Sequence, residues 1–222
     1  MITEIIIILA VAFLVYASCN IRSNIYLKVF SKKQTTEKIV AITFDDGPDP
    51  IQTPKVLQVL KEQQVPACFF CIGNKVKGNE ELIRQIIGEG HLIGNHSFSH
   101  TNTFPLYSLS RMEKDLQACQ AALEEVTSQK TKLFRPPFGV TNPTIAKTIK
   151  KLGYTTIGWN IRTFDTQQPH TEKILRRIRK KLCPGSIILL HDRMPNSDLL
   201  LKEILHLIKD QGYTVVRLDE IM

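Results

Sequence analysis

The feature that most constrains the fold of this 222-residue chain is a repeated alternation of short apolar runs and helical patterns. The apolar runs predict seven strands, over residues 39–44, 67–72, 91–94, 132–135, 154–159, 186–190 and 214–217. Helical patterns lie between them, over residues 53–63, 79–88, 110–126, 142–153, 171–182 and 199–211. Strands that alternate with helices pair in parallel, so the sequence predicts a closed or doubly wound α/β fold.

Polar residues with catalytic or metal-binding potential follow the predicted strands. They are Asp45, Asp46, His96, His100, Arg135, Asp165 and His191. In a β/α barrel, the loops at the carboxyl ends of the strands converge on one face, where active sites lie. Residues spread over the sequence from 45 to 191 are therefore expected to meet in one pocket.

The adjacent carboxylates Asp45 and Asp46 indicate a metal or a reaction, because two charges at the end of a buried strand need compensation. His96 and His100 have i, i+4 spacing, which would place both rings on one face of a helix. One Asp with two His leaves metal positions open for water and substrate. Zinc is the expected metal, and cobalt, nickel or iron are alternatives.

The second carboxylate of the pair has a role if the first binds the metal. It can take a proton from a metal-activated water as general base. His191 is a suitable proton donor to a leaving group, although a buried structural histidine beside Asp192 is the alternative interpretation.

Five cysteines, Cys19, Cys68, Cys71, Cys119 and Cys183, show no disulfide framework. Cys68 and Cys71 have the spacing of a redox motif but lie in a predicted strand, where residues three apart point to opposite faces. We interpret them as core thiols rather than as a redox or zinc site.

The N-terminus contains an uncharged apolar stretch over residues 5–21. As a helix it would span about 25 Å, the lower limit for crossing a bilayer. No Lys or Arg precedes it, which favours an uncleaved anchor over a signal peptide or a lipoprotein signal cleaved before Cys19. We predict an anchor or signal segment over residues 1–22, a basic linker over 23–37 and a catalytic domain over 38–222.

The membrane side of that domain stays open at this stage. Basic residues after the apolar stretch, and the unpaired cysteines, favour the cytoplasm, and the cell envelope is the alternative. The net charge is +8. A basic cluster, Lys173, Arg176, Arg177, Arg179, Lys180 and Lys181, is interpreted as a solvated helix face, with contact to phospholipid or acidic glycan as the alternative. No aromatic residues interleave there, so nucleic acid is not a predicted partner.

From residue 38 to its end the chain resembles the polysaccharide deacetylase family, carbohydrate esterase family 4. Residues 43–47 (Thr-Phe-Asp-Asp-Gly) match its first motif and residues 96–100 (His-Ser-Phe-Ser-His) its second. Residues 135–138 (Arg-Pro-Pro-Phe) match the third and residues 189–191 (Leu-Leu-His) the fifth. The motifs occur in the family's order, and the resemblance implies a distorted seven-stranded β/α barrel.

The resemblance also implies residue roles. It implies a divalent metal held by three residues, Asp46, His96 and His100. Asp45 would be the general base, with its carboxylate held by Arg135. The backbone N–H of Phe138 would stabilise the oxyanion. Leu189 would line the pocket for the acetyl methyl group, and His191 would be the general acid.

The fourth motif departs from the family pattern, in which an Asp followed by Trp supports the catalytic histidine. Here the candidate is Asp165, followed by Thr166. Asp165 would favour the charged imidazolium of His191. Trp159, at a strand end, could replace the missing wall of the substrate groove, although packing at the barrel rim is the more ordinary interpretation.

The main hypothesis is a metal-dependent hydrolase that removes N-acetyl groups from an N-acetylhexosamine glycan, such as peptidoglycan, chitooligosaccharide or a lipid-linked sugar at the membrane. One alternative is an O-acetyl sugar esterase. Another is a catalytically silent glycan-binding protein, which we disfavour because the base, the metal ligands and the acid are all present. The sequence does not indicate the oligomeric state.

Overall fold

The computed structural model of the chain describes residues 1–167 and 170–222. Its strands are β1 (Val29–Phe30), β2 (Ile39–Asp45), β3 (Cys68–Cys71), β4 (Leu92–Asn95), β5 (Leu133–Phe134), β6 (Thr155–Ile157), β7 (Ile161–Arg162), β8 (Ser186–His191) and β9 (Thr214–Val215). Its helices are α1 (Ile2–Cys19), α2 (Thr53–Gln63), α3 (Glu80–Gly88), α4 (Leu109–Thr127), α5 (Pro143–Leu152), α6 (Thr171–Lys181), α7 (Ser197–Asp210) and α8 (Leu218–Ile221). The predicted α/β fold with an apolar N-terminal helix is confirmed.

The strands form one curled parallel sheet in the order β1-β6-β5-β4-β3-β2-β8-β7, with β9 also paired to β2. Strand β2 lies between β3 and β8 in this sheet and is buried on both faces, which explains its continuous apolar sequence. The register pairs β2 with β8 over six positions and sets Asp45 directly beside His191. Two of the predicted catalytic residues are thus neighbours across a strand pair, although 146 positions separate their numbers.

The predicted strand over residues 154–159 is two short strands, β6 and β7. Asn160 separates them: its side-chain Oδ1 accepts from the N–H of Ile187, and its own N–H donates to the Ile187 carbonyl. The chain therefore leaves β5 as its partner and joins β8 within three residues. This change of partner turns residues 161–167 toward the carboxyl end of β8.

Strand β1 lies inside the segment predicted as a linker. Val29 and Phe30 pair with β6, and Lys32 bridges to Ser186 at the start of β8. The N–H of Lys33 also donates to the carbonyl of Gly185, at 3.0 Å. Residues 29–33 thus span the gap between β6 and β8 and continue the ring of strands.

Two apolar clusters occupy opposite faces of the sheet. Cys71 lies in the cluster between the sheet and helices α2, α3, α6 and α7. Cys68 lies in the interior cluster with Trp159 and Leu189. Both thiols are fully buried and free, and burial raises their pKa values. The interpretation of Cys68 and Cys71 as core thiols on opposite faces is confirmed.

Helix α1 is long and apolar enough to cross a membrane, a property that an N-terminal signal sequence shares. Most of it is exposed, but its last turn packs on the domain. The carbonyl of Ser18 accepts from the N–H of Thr141 at 2.9 Å, and the carbonyl of Ala17 accepts from the Thr141 hydroxyl at 3.2 Å. Ala17 and Ile21 are buried.

Helix α4 begins at Leu109, one residue before the predicted start at residue 110. Ser108 is the N-cap, and its hydroxyl accepts from the N–H of Arg111. Ser108 has the extended backbone that a cap requires, whereas Ser110 lies within the first turn of the helix.

Candidate active site

Asp45, the last residue of β2, is held by a buried arginine. Arg135 Nη1 donates to Asp45 Oδ1 at 2.7 Å and to the hydroxyl of Thr43 at 2.9 Å. The other nitrogens of Arg135 donate to the backbone carbonyls of Ile157 and Gly158. Arg135 is fully buried and Asp45 is 4% exposed. This network fixes one carboxylate oxygen of Asp45 and leaves Oδ2 facing the cleft.

Asp46 forms a cluster with His96 and His100 whose candidate ligand atoms lie within 4.8 Å of one another. Asp46 Oδ1 is 3.4 Å from His96 Nε2 and 3.2 Å from His100 Nε2. The two histidines were expected to share a helix face, but residues 96–100 form a loop, in which Ser97 and His100 have positive φ angles of 67° and 45°. The loop brings the rings together by a different route, with centroids 4.8 Å apart.

The protonation of the cluster suits a cation. His96 Nδ1 lies 2.8 Å from the carbonyl of Arg135, which can only accept, so Nδ1 donates to it and Nε2 is the ring nitrogen that faces Asp46. Burial lowers the pKa of His100 to about 4, so this ring is neutral at physiological pH. Burial opposes ionisation of Asp46, but its pKa is lowered overall, chiefly by its hydrogen bond to His96.

These three residues fit a divalent metal ion. Two neutral imidazoles and one carboxylate are a common donor set for zinc and other first-row divalent ions. With metal–ligand distances of about 2.0–2.1 Å, neighbouring ligands in a tetrahedral shell lie roughly 3.3–3.4 Å apart. The observed separations of 3.2 and 3.4 Å match that spacing.

His191, the last residue of β8, is oriented by Asp165. The two carboxylate oxygens of Asp165 contact the ring Nδ1 of His191 at 2.8 Å and its backbone N–H at 2.7 Å. Burial alone would lower the pKa of His191, but the hydrogen bond and charge of Asp165 outweigh burial and raise it. Thr166, which follows Asp165, lines the cleft at the position where the resemblance expects Trp.

The cleft between these groups has a volume of about 570 Å³, within the range of small-molecule sites. Phe138, Trp159 and Leu189 line it. Trp159 is 9% exposed and also packs in the interior cluster. Its side chain therefore both lines the cleft and contributes to packing, which are the two interpretations that the sequence offered. A Cβ at Gly139 would lie 2.6 Å from the Trp159 ring, so only glycine allows this close approach.

Gly47 follows the Asp pair because no side chain fits there. A Cβ would lie 2.3 Å from the Asp192 carboxylate, whose Oδ2 accepts from the Thr53 hydroxyl. Asp192 is fully buried, and this burial raises its pKa to about 7. The neighbouring His191 lines the cleft, which does not agree with the alternative interpretation of His191 as a buried structural histidine.

Three basic residues of the cleft were not predicted from the sequence. Arg193 Nε donates to Asp46 Oδ2 at 3.0 Å, and Lys75 Nζ donates to the Asp46 carbonyl at 2.7 Å. Arg162 lines the same cleft. The signal that could have found them is the one used for the acids, because each lies within a few residues of the carboxyl end of a strand.

Comparisons with known proteins agree with this geometry. The family model described as polysaccharide deacetylase matches residues 32–157. The peptidoglycan-N-acetylglucosamine deacetylase of Bacillus cereus is 38% identical over 195 residues, covering 84% of this chain and 89% of that protein.

Two solved structures extend the comparison. The family 4 carbohydrate esterase PdaA of Bacillus subtilis superimposes with a TM-score of 0.78 at 30% identity, covering 96% of this chain and 88% of that one. A pseudoenzyme of carbohydrate esterase family 4 from Bacillus anthracis superimposes with a TM-score of 0.80 at 28% identity, covering 87% of this chain and 68% of that one. Sequence, fold and site agree, and this chain belongs to the polysaccharide deacetylase family of hydrolases, carbohydrate esterase family 4.

Proposed function

We propose that this protein is a divalent-metal-dependent deacetylase that hydrolyses the acetamido group of an N-acetylhexosamine in a glycan. The observation that carries the proposal is the register of β2 and β8, which sets Asp45 beside His191 at one end of the cleft. Each of the two has its own charged partner, and the Asp46 cluster lies next to Asp45. A proposed acid, a proposed base and a candidate cation site therefore lie around one cleft, where a single acetamido group could react with all three.

Asp45 acts as the general base. Arg135 holds its Oδ1, and its Oδ2 is free to take a proton from the water that attacks the acetyl carbonyl carbon. Asp46, His96 and His100 hold the metal, with zinc as the first candidate. When bound there, a divalent cation would polarise the acetyl carbonyl and make the attacking water more acidic.

The attack produces a tetrahedral oxyanion, and the backbone N–H of Phe138 is the proposed donor to it. Phe138 has a positive φ of 61° and lies at the cleft, so its backbone is held in a turn against the site. Leu189, two residues before His191, is the proposed contact for the acetyl methyl group.

His191 completes the reaction as general acid. When the C–N bond breaks, the sugar nitrogen needs a proton, and the His191 imidazolium supplies it, leaving acetate and a free amine. Asp165 keeps His191 protonated to higher pH than an ordinary histidine. An amine leaving group depends on protonation more than an alcohol does, which favours the amide over the O-acetyl ester as the substrate bond.

The test measures acetate release from N-acetylated chitooligosaccharides, from peptidoglycan and from O-acetylated xylan, with metal analysis of the same preparation. Activity confined to xylan would contradict N-deacetylation. Acetate release from none of these donors by metal-loaded protein would instead favour a silent glycan-binding protein.

Asp45→Asn tests the assigned base. We expect kcat/KM to fall by about 10²–10⁴-fold, the usual contribution of a general base. Metal content should stay at the wild-type level, because Asp45 is not among the proposed ligands. Activity within a few fold of wild type would show that another group takes the proton.

A further inference from the structure

The cleft carries positive charge that the proposed chemistry does not use. Three basic side chains line it, those of Lys75, Arg162 and Arg193. Among residues 1–167 and 170–222, the only carboxylates that line it are those of Asp45 and Asp46, and Asp165 lies behind it. A neutral N-acetylhexosamine needs no such charge.

The carboxylates of the cleft already have partners. Asp45 pairs with the buried Arg135, and Asp46 faces the two histidines on one side and Arg193 on the other. Over the described residues, Lys75 and Arg162 form no ion pair with a carboxylate. The ammonium of Lys75 donates to the backbone carbonyl of Asp46 and not to its carboxylate. Two cations are therefore left for a ligand.

Arg162 is positioned by an aromatic stack. Its guanidinium lies 4.8 Å from the ring centroid of Phe164, and the guanidinium of Arg177 lies 4.5 Å from the same centroid. Phe164 thus links the cleft to the basic face of α6. A stacked guanidinium is pre-oriented, so it loses little rotamer freedom when it binds an anion.

The C-terminal end of the apolar helix α1 lies close to the same cleft. Thr141, which binds the carbonyls of Ala17 and Ser18, follows the cleft residue Gly139 by two positions, or about 7 Å of chain at most. Ile21 packs in one cluster with Trp159, which lines the cleft. Any bilayer that holds α1 is consequently tied close to the opening of the site.

From these two observations we infer that the substrate is an N-acetylhexosamine joined through phosphate to a membrane lipid. Arg162 and Lys75 bind the phosphate, and α1 holds the cleft near the headgroup level at which such a sugar lies. Guanidinium and ammonium groups are the usual protein partners of phosphate. This inference rests on the proposed deacetylase function and narrows its substrate class.

The experiment uses the full-length protein in phosphatidylcholine vesicles. One substrate is N-acetylglucosamine linked through diphosphate to a long-chain lipid in the vesicles, and the second is soluble chitotetraose. Arg162→Gln is compared with Arg162→Lys and with Arg84→Gln, an exposed arginine on α3 outside the cleft. Thermal denaturation checks that the variants fold.

We expect wild type to prefer the lipid-linked substrate, and Arg162→Gln to lower its kcat/KM by about tenfold or more, as for loss of a hydrogen bond to a charged group. The loss on chitotetraose should be several times smaller. Arg162→Lys should restore part of the preference, and Arg84→Gln should match wild type on both substrates.

A second measurement does not depend on a folded variant. N-acetylglucosamine 1-phosphate should inhibit the wild-type protein at least tenfold more strongly than N-acetylglucosamine does.

Equal losses on both substrates, equal inhibition by the two sugars, or equal kcat/KM values of the wild-type protein on the two substrates would overturn the inference. In each of these cases chitotetraose still loses acetate and the deacetylase function stands. Release of acetate from no N-acetylated donor would instead overturn the function itself.

Discussion

On each of the two sides of the cleft, a titratable group is held by a residue of opposite charge, but the two groups are held in different ways. On the base side, Arg135 makes four hydrogen bonds, of which one reaches Asp45 and two reach backbone carbonyls. On the acid side, both oxygens of Asp165 contact one residue, His191. The proposed base is held by a network that joins β2 to the end of β6, whereas the proposed acid is held by a single carboxylate.

This difference follows from what each group has to do. A base must keep one oxygen free and in place, so its partner is rigid, always charged and anchored elsewhere. An acid must keep a proton at neutral pH and then lose it, so its partner acts on the pKa of His191. We therefore expect changes on the base side to affect stability, and changes on the acid side to affect the pH dependence of activity.

The largest expected effect on stability is that of Arg135→Met. Removing one partner of a buried ion pair leaves the Asp45 charge uncompensated, and we expect the free energy of unfolding to fall by about 3–5 kcal/mol. Chemical denaturation measures this loss.

Arg193→Met is the matched control, because Arg193 also pairs with an aspartate of the site but is 40% exposed. Its cost should be at most about 1 kcal/mol. A similar cost for the two variants would mean that the buried network is not what stabilises the base side.

Asp165→Asn is expected to change the pH profile more than the stability. Asp165 raises the pKa of His191, and the proposed acid works in its protonated form, so we expect wild-type activity to extend to higher pH than an ordinary histidine would allow. Without the charge of Asp165, the basic limb of the kcat/KM profile should move to lower pH.

The loss of activity in Asp165→Asn should be about tenfold or more at pH 8, as for loss of a hydrogen bond to a charged group, and smaller at pH 6. The kcat/KM profile over pH 5–9 measures it. A loss of the same size at every pH would show that Asp165 orients the ring of His191 without tuning its proton affinity.

The sequence alone predicted the fold and the position of the acids better than the position of the cations. Asp45 and His191 end long apolar strands, and parallel strands bring their carboxyl ends to one face, so their meeting could be predicted. Arg162 also follows the end of a predicted strand, but its place in the cleft depends on a change of strand partner that the sequence does not show. Asn160 separates β6 from β7 at that point, and its Oδ1 accepts from the N–H of Ile187 in β8.

The histidine loop and the N-terminal segment show the same limit. The i, i+4 spacing of His96 and His100 suggested a helix, but positive φ angles at Ser97 and His100 bring the rings together within a loop. Residues 29–33 carry charges typical of a linker, yet backbone hydrogen bonds to β6 and β8 hold them in the barrel. Backbone pairing leaves little trace in residue type, and for that reason it was missed.

Smaller effects than that of Arg135→Met are expected for two buried threonines that support the two sides. The Thr43 hydroxyl accepts from Arg135 and donates to a carbonyl of β8. The Thr163 hydroxyl lies 3.0 Å from Asp165 Oδ1 and 2.8 Å from the next carbonyl of β8, and these two acceptors share its one proton. Thr43→Val and Thr163→Val should each lower the free energy of unfolding by about 1–2 kcal/mol, measured by urea denaturation.

The activities of Thr43→Val and Thr163→Val should differ. Arg135 keeps three acceptors in Thr43→Val, so kcat/KM should stay within a few fold of wild type, whereas Thr163→Val frees the only carboxylate that holds His191 and should cost about tenfold. Equal kcat/KM values for the two variants would contradict the view that the acid side depends on a single support.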